Sequence, residues 1–214
     1  MLYGKAKIIS LFLSGVEPMK LILASSSPRR ISLLKELGIE FTVEAPDWET
    51  RIFNENPVEI AQLTALEKAR SVARNHTEGI VISADTIVVI NGRVLGKPKD
   101  ENEAKSFLKM LSGQIHTVVT GLALVNASNG EELMDYEVTE VKFKQLDEKE
   151  IEKYVATGEP MDKAGAYGIQ GIGRLFVEWI RGDFYNVVGL PIYRLYIVLK
   201  KFGVDLLARI VERS

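Results

Sequence analysis

The chain has 214 residues, of which 46% are hydrophobic and 26% are charged, as in an ordinary globular protein with room for one domain of two lobes or two small domains. Its formal net charge of -2 gives no global attraction to nucleic acid or to an anionic membrane, so any anion site must be local. The absence of cysteine excludes disulfides, thiolate zinc sites and cysteine nucleophiles, and it agrees with a cytoplasmic location. Two histidines are too few for a histidine-rich metal centre, whereas a hard cation on Asp and Glu oxygens remains open.

Residues 1–18 form an extension whose structure the sequence specifies poorly. Lysines precede a short apolar run, Ile8 to Leu13, which is too short to span a membrane and lacks a convincing cleavage site. Met19 stands directly before the first predicted strand and is a candidate start codon. We therefore expect a single domain over residues 19–214 and no membrane-spanning segment.

The segment Leu21–Arg30 predicts an anion site at the start of a helix. A short apolar run predicts a buried strand, serines follow, and Ser27-Pro28 has the pattern of an N-cap with proline at the first helical position. Arg29 and Arg30 then lie in the first turn, where the helix dipole disfavours a cation by roughly 0.3–1 kcal/mol. Backbone N–H groups, serine hydroxyls and two guanidinium groups would together bind phosphate. In the alternative interpretation the helix start is solvated and the arginines pair with acids elsewhere.

The next segment predicts a strand, a loop and a helix that carries a lysine. We expect the strand over residues 38–44, a loop with two acids over 45–51, and a helix over 57–74 with an apolar stripe rich in alanine. Lys68 lies within one turn of that stripe. A lysine whose stem covers apolar surface is common, so Lys68 alone is only a weak indication of function.

Residues 79–90 form the most strand-like run of the chain, and Asp85 interrupts it. A carboxylate inside such a run loses hydration unless it is paired, hydrogen-bonded or bound to a metal. Asp85 is therefore either a structural acid with backbone partners or, in the interpretation we favour, an active-site acid. Asn91-Gly92 predicts a type I′ hairpin whose returning strand would bring Lys97 near Asp85. The residues before Lys97 lack the spacing and the Ser/Thr of a P-loop, which we reject.

The remaining pattern completes one compact α/β unit. It predicts helices over residues 101–112, 148–156 and 191–202, strands over 117–125, 137–146 and 175–180, and a glycine-rich loop over 158–173. Such a loop either lets backbone approach a ligand or is a mobile surface loop. Its glycines neither follow a strand nor open a helix, which excludes a dinucleotide-binding fingerprint.

Seven segments, in order, resemble the Maf family. They are SSSPRR at 25–30, LEKAR at 66–70, ADTIV at 84–88, LGKP at 95–98, SGQIHTVVTG at 112–121, EPMDKAGAYGIQG at 159–171 and GDFYNVVGLP at 182–191. Each segment is weak alone, whereas the set is specific and extends from about Met19 to the last helix. The resemblance implies an α/β fold with a mixed, elongated sheet flanked by helices, in two lobes with a central cleft, similar to inosine triphosphate pyrophosphatases.

The resemblance also implies an activity and its residues. Members of the family are nucleoside triphosphate pyrophosphatases, which convert a nucleotide and water to the monophosphate and pyrophosphate and need Mg²⁺ or Mn²⁺. The family's catalytic aspartate corresponds to Asp85, which would also bind the metal. An acidic pair that usually follows the second strand is incomplete here, and Glu49 is the best substitute as the second metal ligand. The family's phosphate-binding positions correspond to Ser25, Ser27, Arg30, Lys68 and Lys97.

Three further positions divide the family by substrate. The branch that hydrolyses dTTP and UTP carries arginine, threonine and glutamine where this chain has Arg29, Thr86 and Gln170. The branch that prefers 7-methyl-GTP usually carries tryptophan, glutamine and glutamate there. An amide such as that of Gln170 can both donate to and accept from a uracil or thymine edge. The resemblance therefore implies the dTTP/UTP branch, and it suggests a homodimer.

Two other functions remain as alternatives. The family's association with septum formation suggests a nucleotide-binding regulator with little turnover. The presence of the expected catalytic aspartate, of Arg30 and of the two lysines, Lys68 and Lys97, argues against a site that has lost its catalytic activity. A non-specific nucleic-acid binder is disfavoured by the acidic balance of the chain and the lack of a long basic stripe.

Overall fold

The computed structural model describes residues 19–47, 54 and 56–211, so the predictions for residues 1–18 and for Glu49 lie outside the described part. Within it, seven strands form one mixed sheet in the order β2-β1-β3-β5-β6-β7, with β4 paired to β3. The strands are β1 (Leu21–Ala24), β2 (Thr42–Glu44), β3 (Ile80–Ile90), β4 (Arg93–Leu95), β5 (Ile115–Asn126), β6 (Glu132–Phe143) and β7 (Val177–Arg181). The helices are α1 (Pro28–Glu36), α2 (Pro57–Ala73), α3 (Glu101–Leu111), α4 (Glu148–Val155), α5 (Phe184–Val188), α6 (Ile192–Lys201) and α7 (Leu206–Val211). Short 3₁₀ helices span Glu159–Asp162, Ala164–Ala166 and Ile172–Phe176.

Strand β3 is the centre of the sheet, and one of its edges is only partly covered. Along one edge it pairs with β5 from Ile80 to Val89. On the other edge β1 runs parallel to its first residues as far as Ile82, and the antiparallel β4 covers it only from Val88. Among the described residues, no strand covers the middle of this edge. The serine loop that follows β1 lies at this gap.

Side chains of β3 alternate between two faces, and on one face they join two separate hydrophobic clusters. Ile80, Ile82 and Ala84 pack with helices α1 and α6. Val88 and Ile90, farther along the strand, pack with α3 and α4. Between the clusters lies Thr86. The predicted fold, a mixed sheet flanked by helices in two lobes with a central cleft, is confirmed.

Helix α2 packs closely against the opposite face of β3 and β5. Asn56 caps it by accepting a hydrogen bond from the Val58 N–H at 3.0 Å, and Pro57 occupies its first turn as predicted. Alanines face the sheet, and a Cβ on Gly121 of β5 would overlap the backbone of Ala61. This close packing brings Lys68 within reach of β3.

Several element boundaries differ from the prediction. Strand β2 has three residues instead of seven, and β6 spans Glu132–Phe143 instead of 137–146. The first half of β6 is rich in acids and largely exposed, so its apolar alternation is weak. The short helices α5 and α7 were not predicted, because five or six residues are too few to show a helical period. None of the described helices is long and apolar enough to cross a membrane.

Candidate active site

A cavity of about 270 Å³ opens at the gap beside β3. The serine loop, the first turn of α1, the middle of β3 and the segments 162–170 and 187–189 contribute to its lining. Nine of the ten predicted site residues line it, while Glu49 lies outside the described residues. The nine are Ser25, Ser27, Arg29, Arg30, Lys68, Asp85, Thr86, Lys97 and Gln170.

Asp85 and Lys68 form a buried ion pair at the cavity. Asp85 points from β3 toward α2 and is 6% exposed, and the Lys68 Nζ donates to its Oδ1 at 2.6 Å. The side chains are 9% and 16% exposed, respectively, so the pair is largely shielded from water. Helix α2 therefore supplies a cationic partner for an acid inside a strand, where an unpaired acid would be costly.

Arg30 enters the cavity from α1 and is held by two oxygen acceptors. Its Nε donates to the Gly189 carbonyl at 2.7 Å, and its Nη2 donates to the Thr86 Oγ1 at 3.0 Å. Burial lowers the pKa of the Arg30 guanidinium to about 10, against the opposing effect of the Asp85 charge, so the group is cationic at neutral pH. A carbonyl and a hydroxyl, rather than an acid, thus offset the unfavourable position of this arginine at the helix start.

Arg29 follows the other predicted alternative and pairs with an acid. Its Nη1 lies 3.1 Å from the Oδ2 of Asp162, in the glycine-rich segment across the cavity. Lys163 Nζ donates to the other oxygen of Asp162 at 2.6 Å. Although burial raises the pKa of Asp162, these two cations outweigh that effect and hold it below its usual value. Two cations thus share one acid at the cavity wall.

The two serines take different positions from those expected of a capped helix. Ser25 is buried, and its Oγ accepts a hydrogen bond from the Ser27 N–H at 3.2 Å. Ser27 stands at the N-cap position, but its side chain makes no capping hydrogen bond, which corrects that part of the N-cap prediction. Instead, the hydroxyl of Ser25 orders the loop in front of α1.

Lys97 and Gln170 lie on the exposed rim of the cavity. Lys97 follows β4, and the hairpin that precedes it has Asn91 and Gly92 at positive φ, as a type I′ turn requires. The hairpin brings Lys97 to the same cavity as Asp85, as predicted. Within the part of the chain that the structure describes, neither the Lys97 ammonium nor the Gln170 amide has a hydrogen-bond partner, so both are available to a ligand.

Comparison with known proteins shows to which family the chain belongs. The sequence model of the Maf-like protein family matches residues 20–202. The chain belongs to the Maf family. The resemblance inferred from the seven segments is thereby confirmed.

The chain is also similar to several proteins named dTTP/UTP pyrophosphatase. It is 47% identical to the one from Dictyoglomus thermophilum, over 88% of this chain and 98% of the relative. It is 49% identical to that from Clostridioides difficile, over 86% and 95%, and 52% identical to that from Alkaliphilus oremlandii, over 88% and 99%. Among solved structures, the Ham1 protein of Staphylococcus aureus aligns over 58% of this chain and 71% of its own, with 16% identity and a TM-score of 0.42.

The glycine-rich Maf segment is packed against its own side chains. The Glu159 carboxylate accepts hydrogen bonds from the N–H groups of Ile172 and Gly173, at 2.7 and 3.0 Å, and from the Tyr154 hydroxyl at 3.0 Å. A Cβ on Gly171 would overlap that carboxylate. These glycines therefore leave room for a partly buried acid under the loop, a third arrangement besides the two that the sequence suggested.

Two contacts that Maf segments make at the cavity were not predicted from the sequence. Asp162 and Lys163 lie inside the quoted segment 159–171, where their charges were the available signal. The segment 182–191 contributes the Gly189 carbonyl that holds Arg30, and no sequence pattern indicates that a backbone oxygen there meets a residue of α1.

The acids at the cavity fit a cation that arrives with a substrate. The described residues contain no group of three or more His, Asp or Glu side chains that could hold a metal ion. Mg²⁺, however, is usually held by one or two carboxylates while substrate phosphates and waters complete its coordination. The Asp85 carboxylate, buried at the cavity, suits that kind of site.

Proposed function

We propose that this protein is a nucleoside triphosphate pyrophosphatase that hydrolyses dTTP and UTP to the monophosphate and pyrophosphate. The observation that carries the proposal is the cavity that is lined by a buried carboxylate, Asp85, and by the cations Arg30, Lys68 and Lys97. A triphosphate carries about four negative charges, so such a site matches it in charge. The relatives named dTTP/UTP pyrophosphatase, at 47–52% identity, support the same activity.

In the proposed reaction a water oxygen attacks the α-phosphorus. The bond between this phosphorus and the bridging oxygen breaks, and pyrophosphate leaves with that oxygen. Charge develops on the leaving group, where Arg30, Lys68 and Lys97 stabilise it together with N–H groups at the start of α1. Asp85 acts on the attacking water, either by accepting its proton or by holding the cation beside which the water is oriented.

A divalent cation belongs to this proposal. Asp85 would hold it, with Glu49 as the second carboxylate, a prediction that falls outside the described residues. When bound, Mg²⁺ or Mn²⁺ would polarise the phosphate and lower the pKa of a bound water. The phosphate oxygens of the substrate would supply further ligands.

The substrate preference rests on Arg29, Thr86 and Gln170. All three line the cavity, and Gln170 has a free amide at its rim. In a pocket that hydrogen-bonds a base, a wrong base leaves polar groups unpaired and is rejected. Arg29 and Thr86 are engaged with protein groups in this structure, so their influence on the substrate includes how they hold Asp162 and Arg30.

The proposed function is tested by measuring which nucleotides the purified protein hydrolyses. dTTP, UTP, CTP, dATP, GTP and 7-methyl-GTP are incubated with Mg²⁺ or Mn²⁺, and monophosphate, pyrophosphate and orthophosphate are measured separately. We expect pyrophosphate from dTTP and UTP, with none in the presence of a chelator. A preference for 7-methyl-GTP would overturn the substrate assignment alone. Binding without turnover would overturn the enzyme and favour the nucleotide-binding regulator of septum formation.

Three further properties stay predictions. They are the homodimer, the cytoplasmic location and the lack of nucleic-acid and membrane partners. Sedimentation of the purified protein would test the first, and electrophoretic mobility and vesicle-binding assays would test the last. Fractionation of the cells that express it would test the location.

A further inference from the structure

The guanidinium of Arg30 stands at one end of a chain of buried hydroxyl groups. Its Nη2 donates to the Thr86 Oγ1 at 3.0 Å, and Thr86 Oγ1 lies 2.9 Å from the Oγ1 of Thr120, its direct cross-strand partner. The Thr120 hydroxyl in turn donates to the main-chain oxygen of Asn186 at 3.1 Å. Thr120 and Asn186 are fully buried, so water does not compete for these bonds.

The two ends of this chain fix the direction of every hydrogen bond in it. A guanidinium can only donate, and a carbonyl can only accept. Since Thr120 has one proton and gives it to Asn186, the Thr86 hydroxyl accepts from Arg30 and gives its own proton to Thr120 at 2.9 Å, a shorter contact than the 3.5 Å to its other acceptor, the Gly189 carbonyl. Hydrogen bonds that point in one direction reinforce one another, so the chain orients the arginine more strongly than an isolated contact would.

The far end of the chain is fixed in the protein by Asn186. Its Nδ2 donates to the Val118 carbonyl at 3.0 Å and to the Thr139 Oγ1 at 2.9 Å. These bonds attach α5, a helix of five residues that could not be stable alone, to strands β5 and β6. The same helix ends at Gly189, whose carbonyl accepts from Arg30 Nε at 2.7 Å. Helix α5 therefore reaches Arg30 by two routes, directly and through the threonines.

We infer that Thr120 and Asn186 are positioning residues for the reaction, because they hold Arg30 in the orientation in which it binds phosphate. With Nε and Nη2 both held by the protein, Nη1 is the nitrogen with no hydrogen-bond partner among the described residues. The inference rests on the proposed function, since it assumes that Arg30 acts on the phosphates of a nucleotide. It also gives Asn186, which does not line the cavity, a role in catalysis through the threonines and Arg30.

The test removes the hydroxyl group of Thr120 while keeping the shape of the side chain. Thr120→Val breaks the chain, Thr120→Ser keeps it, and Thr117→Val is the matched control on the same strand. We expect kcat/KM for dTTP to fall roughly tenfold in Thr120→Val through misplacement of the arginine, and to stay near wild type in the other two. Thr120→Ala, which removes the same hydroxyl, is the second variant if the valine does not fold. Melting temperatures close to wild type would show that the loss is not unfolding.

A double variant separates positioning from a general structural effect. In an Arg30→Ala background, Thr120→Val should cause no further loss, because the residue it positions is gone. Wild-type kcat/KM in Thr120→Val, or a further tenfold loss in the Arg30→Ala background, would overturn the inference. If the wild-type protein hydrolysed no nucleotide, only the proposed function would fail. Calorimetric titration of the same variants with inorganic pyrophosphate would then test the positioning role without turnover. Equal affinities of wild type and Thr120→Val for pyrophosphate would overturn that role.

Discussion

At the scale of residues, the adjacent residues Asp85 and Thr86 of β3 contact charged side chains from two different helices. Asp85 points to one face of the sheet and meets Lys68 of α2, while Thr86 points to the other and meets Arg30 of α1. This division follows from the two-residue period of a strand. The acid and the arginine therefore depend on different supports, and substitutions on each side should have separable effects.

Lys68→Met tests the support of Asp85. Removing one partner of a buried ion pair should lower the free energy of unfolding by about 3 kcal/mol, as measured by urea denaturation. The loss of a cation at the phosphates should lower kcat for dTTP by roughly 100-fold. The control is Lys109→Met, which removes a largely exposed pair with Glu148 and should change neither quantity. A Lys68→Met variant with wild-type stability and activity would contradict the assigned role.

His116 gives the protein an acid-sensitive stability. It is buried, its Nε2 lies 2.8 Å from the Tyr167 hydroxyl, and burial lowers its pKa from 6.5 to about 3. Between these values the unfolded chain binds a proton that the folded chain excludes, so this contribution to stability is complete above pH 6.5 and is lost as the pH falls toward 3. Each pH unit in that range should cost about 1.4 kcal/mol.

Urea denaturation between pH 7 and 4 would measure this effect as a difference between two proteins. His116→Gln removes the titrating ring while keeping a polar group for Tyr167, so its stability should fall less steeply with acid than that of wild type. His76→Gln, at a partly exposed position beside Glu44, is the control for losing a histidine. Equal pH slopes for wild type and His116→Gln would refute the prediction.

At the scale of elements, the contact between α2 and β5 sets the position of Lys68. In Gly121→Ala the new methyl group would overlap the backbone of Ala61 and Gln62. Because these are backbone atoms, a change of side-chain rotamer cannot relieve the overlap. We expect the free energy of unfolding to fall by about 3 kcal/mol and the activity to fall with it, because α2 must move away from the sheet.

The matched control for Gly121→Ala is Gly130→Ala. That glycine lies in the turn between β5 and β6, at φ +74, with no atom near an added Cβ. Its substitution should cost only the backbone strain of about 1–2 kcal/mol and leave the activity unchanged. Thermal and urea denaturation measure both. A Gly121→Ala protein as stable as Gly130→Ala would mean that α2 can shift freely.

Local patterns predicted the elements whose ends carry strong signals. Pro28 and Pro57 mark the starts of α1 and α2, and Asp147 caps α4 with a complete capping box. Strand ends were less predictable, because the extent of pairing depends on the neighbouring strand. Helix α5 was not predicted, because its five residues are too few to show a helical period even though Asp183 caps it.

At the scale of the whole molecule, the cavity results from unequal strand lengths in one sheet. Strand β3 has eleven residues, whereas β1 and β4 on the same edge have four and three, and the gap between them admits the serine loop. Nothing in the sequence specifies where such pairing stops. The resemblance to the Maf family supplied the set of cavity residues, which composition and spacing alone had indicated only at the serine loop, Asp85 and Lys97.

The sequence did not indicate which groups the two arginines of α1 would contact. Arg29 meets an acid 133 residues away, and Arg30 meets a backbone oxygen 159 residues away. A serine loop followed by two arginines indicates an anion site, but it does not indicate which groups will hold each guanidinium. For the same reason the positioning role of Asn186 appears only in the folded chain.

The most direct measurement is kcat/KM for dTTP with Mg²⁺ in wild type, Asp85→Asn and Asp205→Asn. Asp205 caps α7 by accepting from the N–H groups of Leu207 and Ala208, and asparagine preserves that cap, so its variant is the matched control. We predict release of dTMP and pyrophosphate by wild type and by Asp205→Asn, and a loss of at least about 100-fold in Asp85→Asn. Hydrolysis by Asp85→Asn at the wild-type rate would contradict the assignment of the cavity as the active site.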